Sequence, residues 1–360
     1  MSSAFAAARR VLQQALDDGV FPGAAAEVGG VEDRSWGAAL GRLADDPGSP
    51  AVARDTIYDL ASLTKVVATT TLAMRLVQRG ALSLDTPVAA WLPGWRGRDR
   101  EAVTVRHLLA HSSGLPAHLP LYETCAGRDA FEQAICRLPL QYLPGSASVY
   151  SDLGFILLGF IQQDAAGMPL DLQWELLSGG DALGRLGPGE ELDDLRFGVR
   201  RDALNRTAPT RRDEWRRRLL VGEVDDNNAF ALGGVAGHAG LFGTVAGIGA
   251  FARGMLRSLE GDETGVPVGR ETLAGFLRGV DTPGSSRALG WDTMQPASSC
   301  GTRMSARAFG HTGFTGTSLW IDPDARRYAV LLSNRVHPVA GDPAQILAVR
   351  RAFHDAIWAR

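Results

Sequence analysis

Residues 3–19 place Phe5, Val11, Leu12 and Leu16 at helical spacing, and Pro22-Gly23 closes the pattern. Beyond it the period shortens. Stretches 23–28 and 35–40 read as two strands, and Gly29-Gly30 with charged turn residues between them makes an opening hairpin. A helix is predicted from close to Ser62 to Arg79, with Leu72, Leu76 and Val77 on its buried face and Gly80 as its C-terminal stop. Residues 80–285 read as helices joined by long Gly/Pro loops, the stretch 179–191 being one of these loops. Alternation then returns: residues 318–321 and 328–332 flank the turn 322–326, and a last helix carries Ile346, Val349, Phe353 and Ile357. Strands at both ends with helices between imply an α/β (α+β) chain with one sheet built from both termini. The predicted division is a discontinuous sheet domain, 1–60 and 286–360, and a mainly helical domain, 61–285, with the active site at their junction.

Composition narrows the class. A chain of 360 residues buries a large core, and a formal net charge of −3 argues against nucleic acid as the main partner. The basic run Arg211, Arg212, Arg216, Arg217, Arg218 is broken by Asp213 and Glu214 and reads as a solvated helical face. No stretch approaches the roughly 20 apolar residues of a membrane span. Arg9, Arg10, Asp17 and Asp18 interrupt the N-terminal segment where a secretory signal needs an apolar run, so a cytoplasmic location is expected. Cys125, Cys136 and Cys300 are odd in number and lack metal-ligand spacing, which fits thiols in a reducing compartment, with a Cys125–Cys136 bridge left open.

The chemistry begins at the only lysine. Of 37 basic residues, Lys65 alone is not arginine, and lysine, unlike arginine, can lose its proton near neutral pH when desolvated. Ser62 precedes it by three residues, so a helix puts the hydroxyl and the amine on one face, a nucleophile beside a candidate base. Tyr150-Ser151-Asp152 follows Pro144-Gly145 and precedes an apolar helix, which places it on a loop. The segment from His311 to Gly316, HTGFTG, leads into the C-terminal hairpin, where small residues let a substrate lie along a strand edge.

With these three motifs in order, the sequence resembles the serine β-lactamase and penicillin-binding protein superfamily, most closely its class C-like esterase, peptidase and amidase branch. The resemblance extends to residues 104–116, to Leu143-Pro144-Gly145, and from Gly233-Gly234 through the stretch 240–244. It implies a β-lactamase/transpeptidase-like fold: an antiparallel sheet flanked by N- and C-terminal helices, with an inserted all-helical region. It also implies Ser62 as the acylated nucleophile, Lys65 as its proton partner, Tyr150 as second base, and the backbone N–H groups of Ser62 and Phe314 as oxyanion hole. Asp152, His311, Thr312, Gly313 and His238 then fall at substrate-binding positions. No cofactor or metal is called for.

Two positions depart from the commonest family pattern. Asp152 stands where asparagine is usual; ionised, it only accepts hydrogen bonds, and close to Lys65 it favours the ammonium, which turns the choice of base towards Tyr150. His311 stands where lysine often begins the strand triplet. Near neutral pH an unperturbed histidine is mostly uncharged, so it holds a substrate carboxylate less well, or serves only to order the strand. His107, His111 and His118 are expected in a packed helix and turn rather than around a metal, and His238 either contacts substrate or packs its loop. The expected activity is a metal-free serine hydrolase working through an acyl-enzyme on an ester or amide, a cell-wall-derived peptide or small carboxylic ester. The alternatives are a β-lactamase or D-alanyl-D-alanine carboxypeptidase, a penicillin-recognising binding module, or an acyltransferase. Partners are small-molecule or peptide substrates; oligomeric state is not legible.

Overall fold

The computed structural model describes residues 3–178, 195–262, 266 and 268–359; the predicted loop 179–191 lies outside the described residues. An antiparallel six-stranded sheet is built from both ends of the chain. Its strands are β1 (Gly23–Gly29), β2 (Arg34–Gly41), β3 (Asp292–Thr293), β4 (Phe309–Thr312), β5 (Ser318–Asp322) and β6 (Arg327–Ser333), in the spatial order β2-β1-β6-β5-β4-β3. The β1–β2 and β5–β6 hairpins are those predicted, and β1 joins them by pairing with β6, Ala26 opposite Leu331.

Side chains alternate across these strands, so each face meets a different layer. Ala24, Ala26, Val28, Trp320, Ala329 and Leu331 pack with the terminal helices α1 (Ser3–Asp17) and, at the far end of the chain, the last helix (Pro343–Ile357). Ala25, Leu319, Ile321, Val330 and Leu332 face the larger core of the middle segment. That segment contributes α2 (Thr71–Gln78), α3 (Val105–Leu109), α4 (Asp152–Ala166) and α5 (Val245–Glu260), which makes the C-terminal helix α6. Helix α5 is tied to the sheet by fully buried Glu27, whose Oε1 accepts from Tyr328 Oη at 2.8 Å and Arg253 Nη1 at 3.2 Å. Helix α4 is buried continuously from Leu153 to Gln162, which explains its all-round apolar sequence.

The middle segment is mainly helical but not all-helical. Leu241–Gly243 pairs with Tyr58–Asp59 on one side and Arg196–Phe197 on the other, bracing the chain just before Ser62. The basic run is also not a helical face: Arg212–Asp213 and Arg218–Leu219 pair as a small hairpin. Asp213 fixes its turn by accepting the Arg216 N–H at 2.6 Å, a local bond that helical spacing does not reveal. Among the described residues no single helix is long and apolar enough to cross a membrane. The three cysteines are free thiols.

Candidate active site

Ser62 sits at the end of a braced backbone. Asp59 is buried, its Oδ1 accepting the Ala61 N–H at 2.8 Å and its Oδ2 the Asp225 N–H at 2.6 Å. Burial, with the charge of Asp225 added, pushes its carboxyl up to about 7. Ala61 is held at a φ of 47°, in the left-handed region that non-glycine residues rarely adopt, so the turn carrying Ser62 is held by its surroundings rather than by preference. The helix then opens with a wide π turn over Lys65–Thr70 before α2 becomes regular, instead of one uniform helix from Ser62 to Arg79. A tertiary contact accounts for it: Gln162 of α4 donates to the Thr69 carbonyl at 2.8 Å, and Thr69 Oγ1 donates to Gly237 O at 2.7 Å. Gly80 ends the helix with a φ of 71°, as predicted.

The strand edge is stapled to the same backbone. Thr315 Oγ1 donates to Asp59 O at 2.8 Å and Thr317 Oγ1 to Leu60 O at 3.1 Å. Gly313 is the residue that permits this approach, since a Cβ there would lie 2.7 Å from the Leu60 carbonyl oxygen. From the C-terminal helix, Arg350 Nη2 donates to Gly313 O at 2.6 Å and Thr317 O at 2.8 Å, which fixes the plane of the Gly313–Phe314 peptide. Neither the Ser62 N–H nor the Phe314 N–H is spent on another group among the described residues. Because β3 pairs with β4 only at Phe309 and Gly310, the edge from His311 onward is open to a ligand.

Lys65 is fully buried; its ammonium donates to Ser62 Oγ at 3.0 Å and His238 O at 3.0 Å, and forms an ion pair with Asp152 Oδ1 at 2.7 Å that is not aligned as a hydrogen bond. Burial alone pushes the amine down, but the Asp152 carboxylate and Tyr150 outweigh it and hold the ammonium above its ordinary value. Burial likewise works against ionised Asp152, and Lys65 together with His118 holds the carboxyl well below its usual range. His118 Nδ1 stands 3.6 Å from Asp152 Oδ2 and is raised by that contact. The position of Asp152 at the start of α4, behind the Ser151 cap, adds the helix N-terminus to the groups favouring its charge.

Tyr150 is held from the side. His111 packs tilted beside it with ring centroids 4.6 Å apart and accepts the Ser151 N–H on Nδ1 at 2.9 Å. Lys65 Nζ lies 4.9 Å from the centre of the Tyr150 ring, and the Arg287 guanidinium 5.1 Å from it. Burial raises the phenol above its ordinary value although Lys65 and Ser62 pull the other way; neither is aligned in a hydrogen bond to Tyr150 Oη. His311 completes the wall. Its Nδ1 faces Thr312 O at 2.8 Å, a carbonyl that only accepts, so Nδ1 carries the hydrogen and Nε2 presents a bare, buried lone pair. Burial drives this histidine down to about 4, so it is uncharged at neutral pH.

A cleft of about 640 Å³ gathers Ser62, Tyr150, Asp152, His238, His311, Thr312, Gly313 and Phe314, with Lys65 sealed beneath them. His238 contributes twice, by the carbonyl that binds Lys65 and by Nε2, which contacts Asp226 Oδ1 at 2.8 Å. His107 instead caps α3, its Nδ1 accepting the Thr104 N–H at 3.1 Å. Sequence reasoning missed Arg287, Arg211, Asp226, Arg335 and Arg350, which also line the cleft. Their positions depend on loops and on the far helix, and no local motif marks them.

A serine–lysine pair, a tyrosine and a backbone pair of N–H donors at the junction of an antiparallel sheet and a helical layer define a serine hydrolase of the penicillin-recognising type. The chain belongs to the Beta-lactamase family, whose model matches residues 8–352. It is 32% identical over 324 residues to the Escherichia coli (strain K12) protein named "Putative D-alanyl-D-alanine carboxypeptidase", covering 80% of this chain and 71% of that one. It is 31% identical over 322 residues to the Bacillus subtilis (strain 168) "N-acetylmuramyl-L-alanine amidase", covering 81% and 70%. In fold it is similar to "EstCE1, a hydrolase with promiscuous acyltransferase activity", with a TM-score of 0.77, 21% identity and 99% of each chain covered. The class C β-lactamase from Rhodobacter sphaeroides superposes with a TM-score of 0.75 at 22% identity, covering 98% of both.

Proposed function

We propose that the chain is an amidase or peptidase for cell-wall-derived peptides, with small esters as side substrates, and that Ser62, Lys65 and Tyr150 carry the reaction. The observation behind the assignment of roles is the buried ion pair of Lys65 with Asp152. An ammonium held in that ion pair has no lone pair for the Ser62 proton, and it donates to Ser62 Oγ. The serine hydrogen is therefore left for Tyr150. Ser62 Oγ attacks the carbonyl carbon as its proton passes to the Tyr150 phenolate; the carbonyl oxygen takes the negative charge between the Ser62 and Phe314 N–H groups. Tyr150 then protonates the leaving nitrogen or oxygen, and a water activated by the same phenolate releases the acyl group and restores Ser62.

The substrate class rests on neutral His311 and on the names of the relatives. A β-lactam acid recognised at the first position of the strand triplet needs a cation there, and a histidine titrating at about 4 does not supply one. Parallel turnover of a p-nitrophenyl ester, a chromogenic cephalosporin and a muramyl peptide, with Ser62→Ala as blank, tests this. Ser62-dependent cleavage of ester and muramyl peptide with little cephalosporin turnover is the expected result. Fast cephalosporin turnover would make the protein a β-lactamase, and no turnover of any of the three would make it a binding module.

A further inference from the structure

The Arg212–Leu219 hairpin carries an aromatic side chain that the mechanism does not use. Trp215 stands in its turn, 45% exposed, the only exposed tryptophan among the described residues. Tyr122 packs tilted against it with ring centroids 4.9 Å apart, and Phe230 meets it edge-on at 6.0 Å. Tyr122 also lines the cleft that holds Ser62, so the rings continue the cleft wall outward. Both ends of this cluster are fixed. Arg216 donates through Nη1 to Val224 O and through Nη2 to Asp225 O and Asn227 Oδ1, each at 2.8 Å, with its guanidinium 4.6 Å from the centre of the Phe230 ring. Buried Asn228 accepts the Tyr122 N–H at 2.9 Å and donates to Leu119 O at 2.9 Å. The polar edge of the cluster is unspent: among the described residues Trp215 Nε1, Tyr122 Oη and Asp226 Oδ2 make no hydrogen bond, whereas Asp226 Oδ1 accepts the Ala229 N–H at 2.7 Å and contacts His238 Nε2. Burial works against the Asp226 carboxylate, but His238 outweighs it and holds the carboxyl below its ordinary value. The His238 carbonyl binds Lys65, so one residue separates Asp226 from the catalytic amine.

Aromatic faces beside an unspent indole N–H, phenol and carboxylate match a ring that is apolar on one face and hydroxylated around its edge. A hydrocarbon side chain of a peptide would cover the rings yet strip water from Asp226 Oδ2 without offering it a donor, which is costly. We infer that Tyr122, Trp215 and Asp226 form a sugar subsite, in which the two rings carry the pyranose of a glycopeptide substrate and Asp226 accepts from its hydroxyl or N-acetyl N–H groups. The subsite rests on the hydrolase reading above and narrows it to substrates that still bear their sugar next to the scissile bond, as a muramyl peptide does, rather than peptides already freed of it. Rings fixed on two clipped loops lose little freedom when the sugar arrives, which favours binding. The hairpin thereby has a task that its basic residues alone do not indicate: Arg216 is spent on holding the platform, and Trp215 is what it presents.

Calorimetric titration of the Ser62→Ala protein with N-acetylmuramyl-L-alanine and with D-lactyl-L-alanine, which keeps the same amide and lacks the sugar, tests the subsite without turnover. The sugar-bearing ligand is expected to bind about tenfold or more tightly and to shift tryptophan emission to shorter wavelength as Trp215 is covered. Adding Trp215→Ala should erase most of that preference, and Trp215→Phe, which keeps a ring, should retain part of it without the emission shift. Equal affinity of the two ligands for Ser62→Ala would overturn the inference, as would an undiminished preference in both Trp215→Ala and Tyr122→Ala. N-acetyl-L-phenylalanyl-L-alanine binding as tightly as the sugar ligand would also overturn it, making the rings a site for an apolar side chain. Circular dichroism and melting separate lost binding from lost fold, and Trp215→Phe carries the test if alanine does not fold. Muramyl-peptide turnover by the unaltered protein is a separate result: turnover without a sugar preference removes the subsite and leaves the hydrolase reading, and a preference without turnover does the reverse.

Discussion

At the scale of single residues, the centre of the site is a contest over one proton. Asp152 holds Lys65 as an ammonium, and burial holds Tyr150 as a phenol, so the reactive phenolate is a minor form that grows tenfold for each unit of pH below the phenol's titration. The logarithm of kcat/KM should therefore rise with slope near +1 through pH 9 and level off only above about 10, the ordinary tyrosine value. A rate that plateaus near neutral pH would contradict the assignment. Tyr150→Phe should lower kcat/KM by about 10² to 10⁴ and flatten the profile, the usual worth of a positioned base. Asp152 raises Tyr150 by its own charge, so Asp152→Asn should move the alkaline limb to lower pH; movement to higher pH, read in the same profile, would mean that Asp152 acts otherwise.

At the scale of elements, the site is a seam between two pieces of backbone distant in sequence. Thr315 and Thr317 bond the carbonyls of Asp59 and Leu60, and Gly313 leaves the space for them to do so. Gly313→Ala should part the seam and lower kcat by about 10² to 10³, the effect of losing one oxyanion donor, while KM for a small ester changes little. An alanine variant with unchanged kcat would show that the two strands of the seam are not held in register by close packing. Ser62 and Lys65 stood out because their chemistry is local, a hydroxyl three residues from an amine, whereas Tyr150 and Gly313 were singled out by the family resemblance. The π turn at Lys65–Thr70 was not legible, because it depends on Gln162 from another helix. The Arg212–Leu219 hairpin was misread for a similar reason, since the Asp213 side chain, not helical spacing, decides the turn.

At the scale of the whole molecule, the sheet built from both termini followed from alternation at 23–40 and 318–332, and the two-faced packing from the same period. What sequence did not show is how many ionisable groups the core takes in uncharged. His354 is fully buried against Ser318 Oγ at 3.1 Å, and burial lowers it to about 3. Its folded value lies below the roughly 6.5 of the unfolded chain, so the unfolded state binds the proton first and stability is lost as pH falls through that window. Asp59, raised to about 7, acts in the opposite sense, so the clean observable is a difference. The stability of the unaltered protein relative to His354→Asn, from urea unfolding, should fall by about 3 kcal/mol between pH 7 and pH 4. A constant difference would mean that His354 is not held neutral. The central claim, that Ser62 is the nucleophile of a covalent hydrolase, is tested most directly by quenching the enzyme with acid during p-nitrophenyl acetate turnover and mapping the added mass. One acetyl group on the peptide containing Ser62, absent in Ser62→Ala, is the predicted result; turnover with no acylated Ser62, or with the acetyl group on another residue, would contradict it.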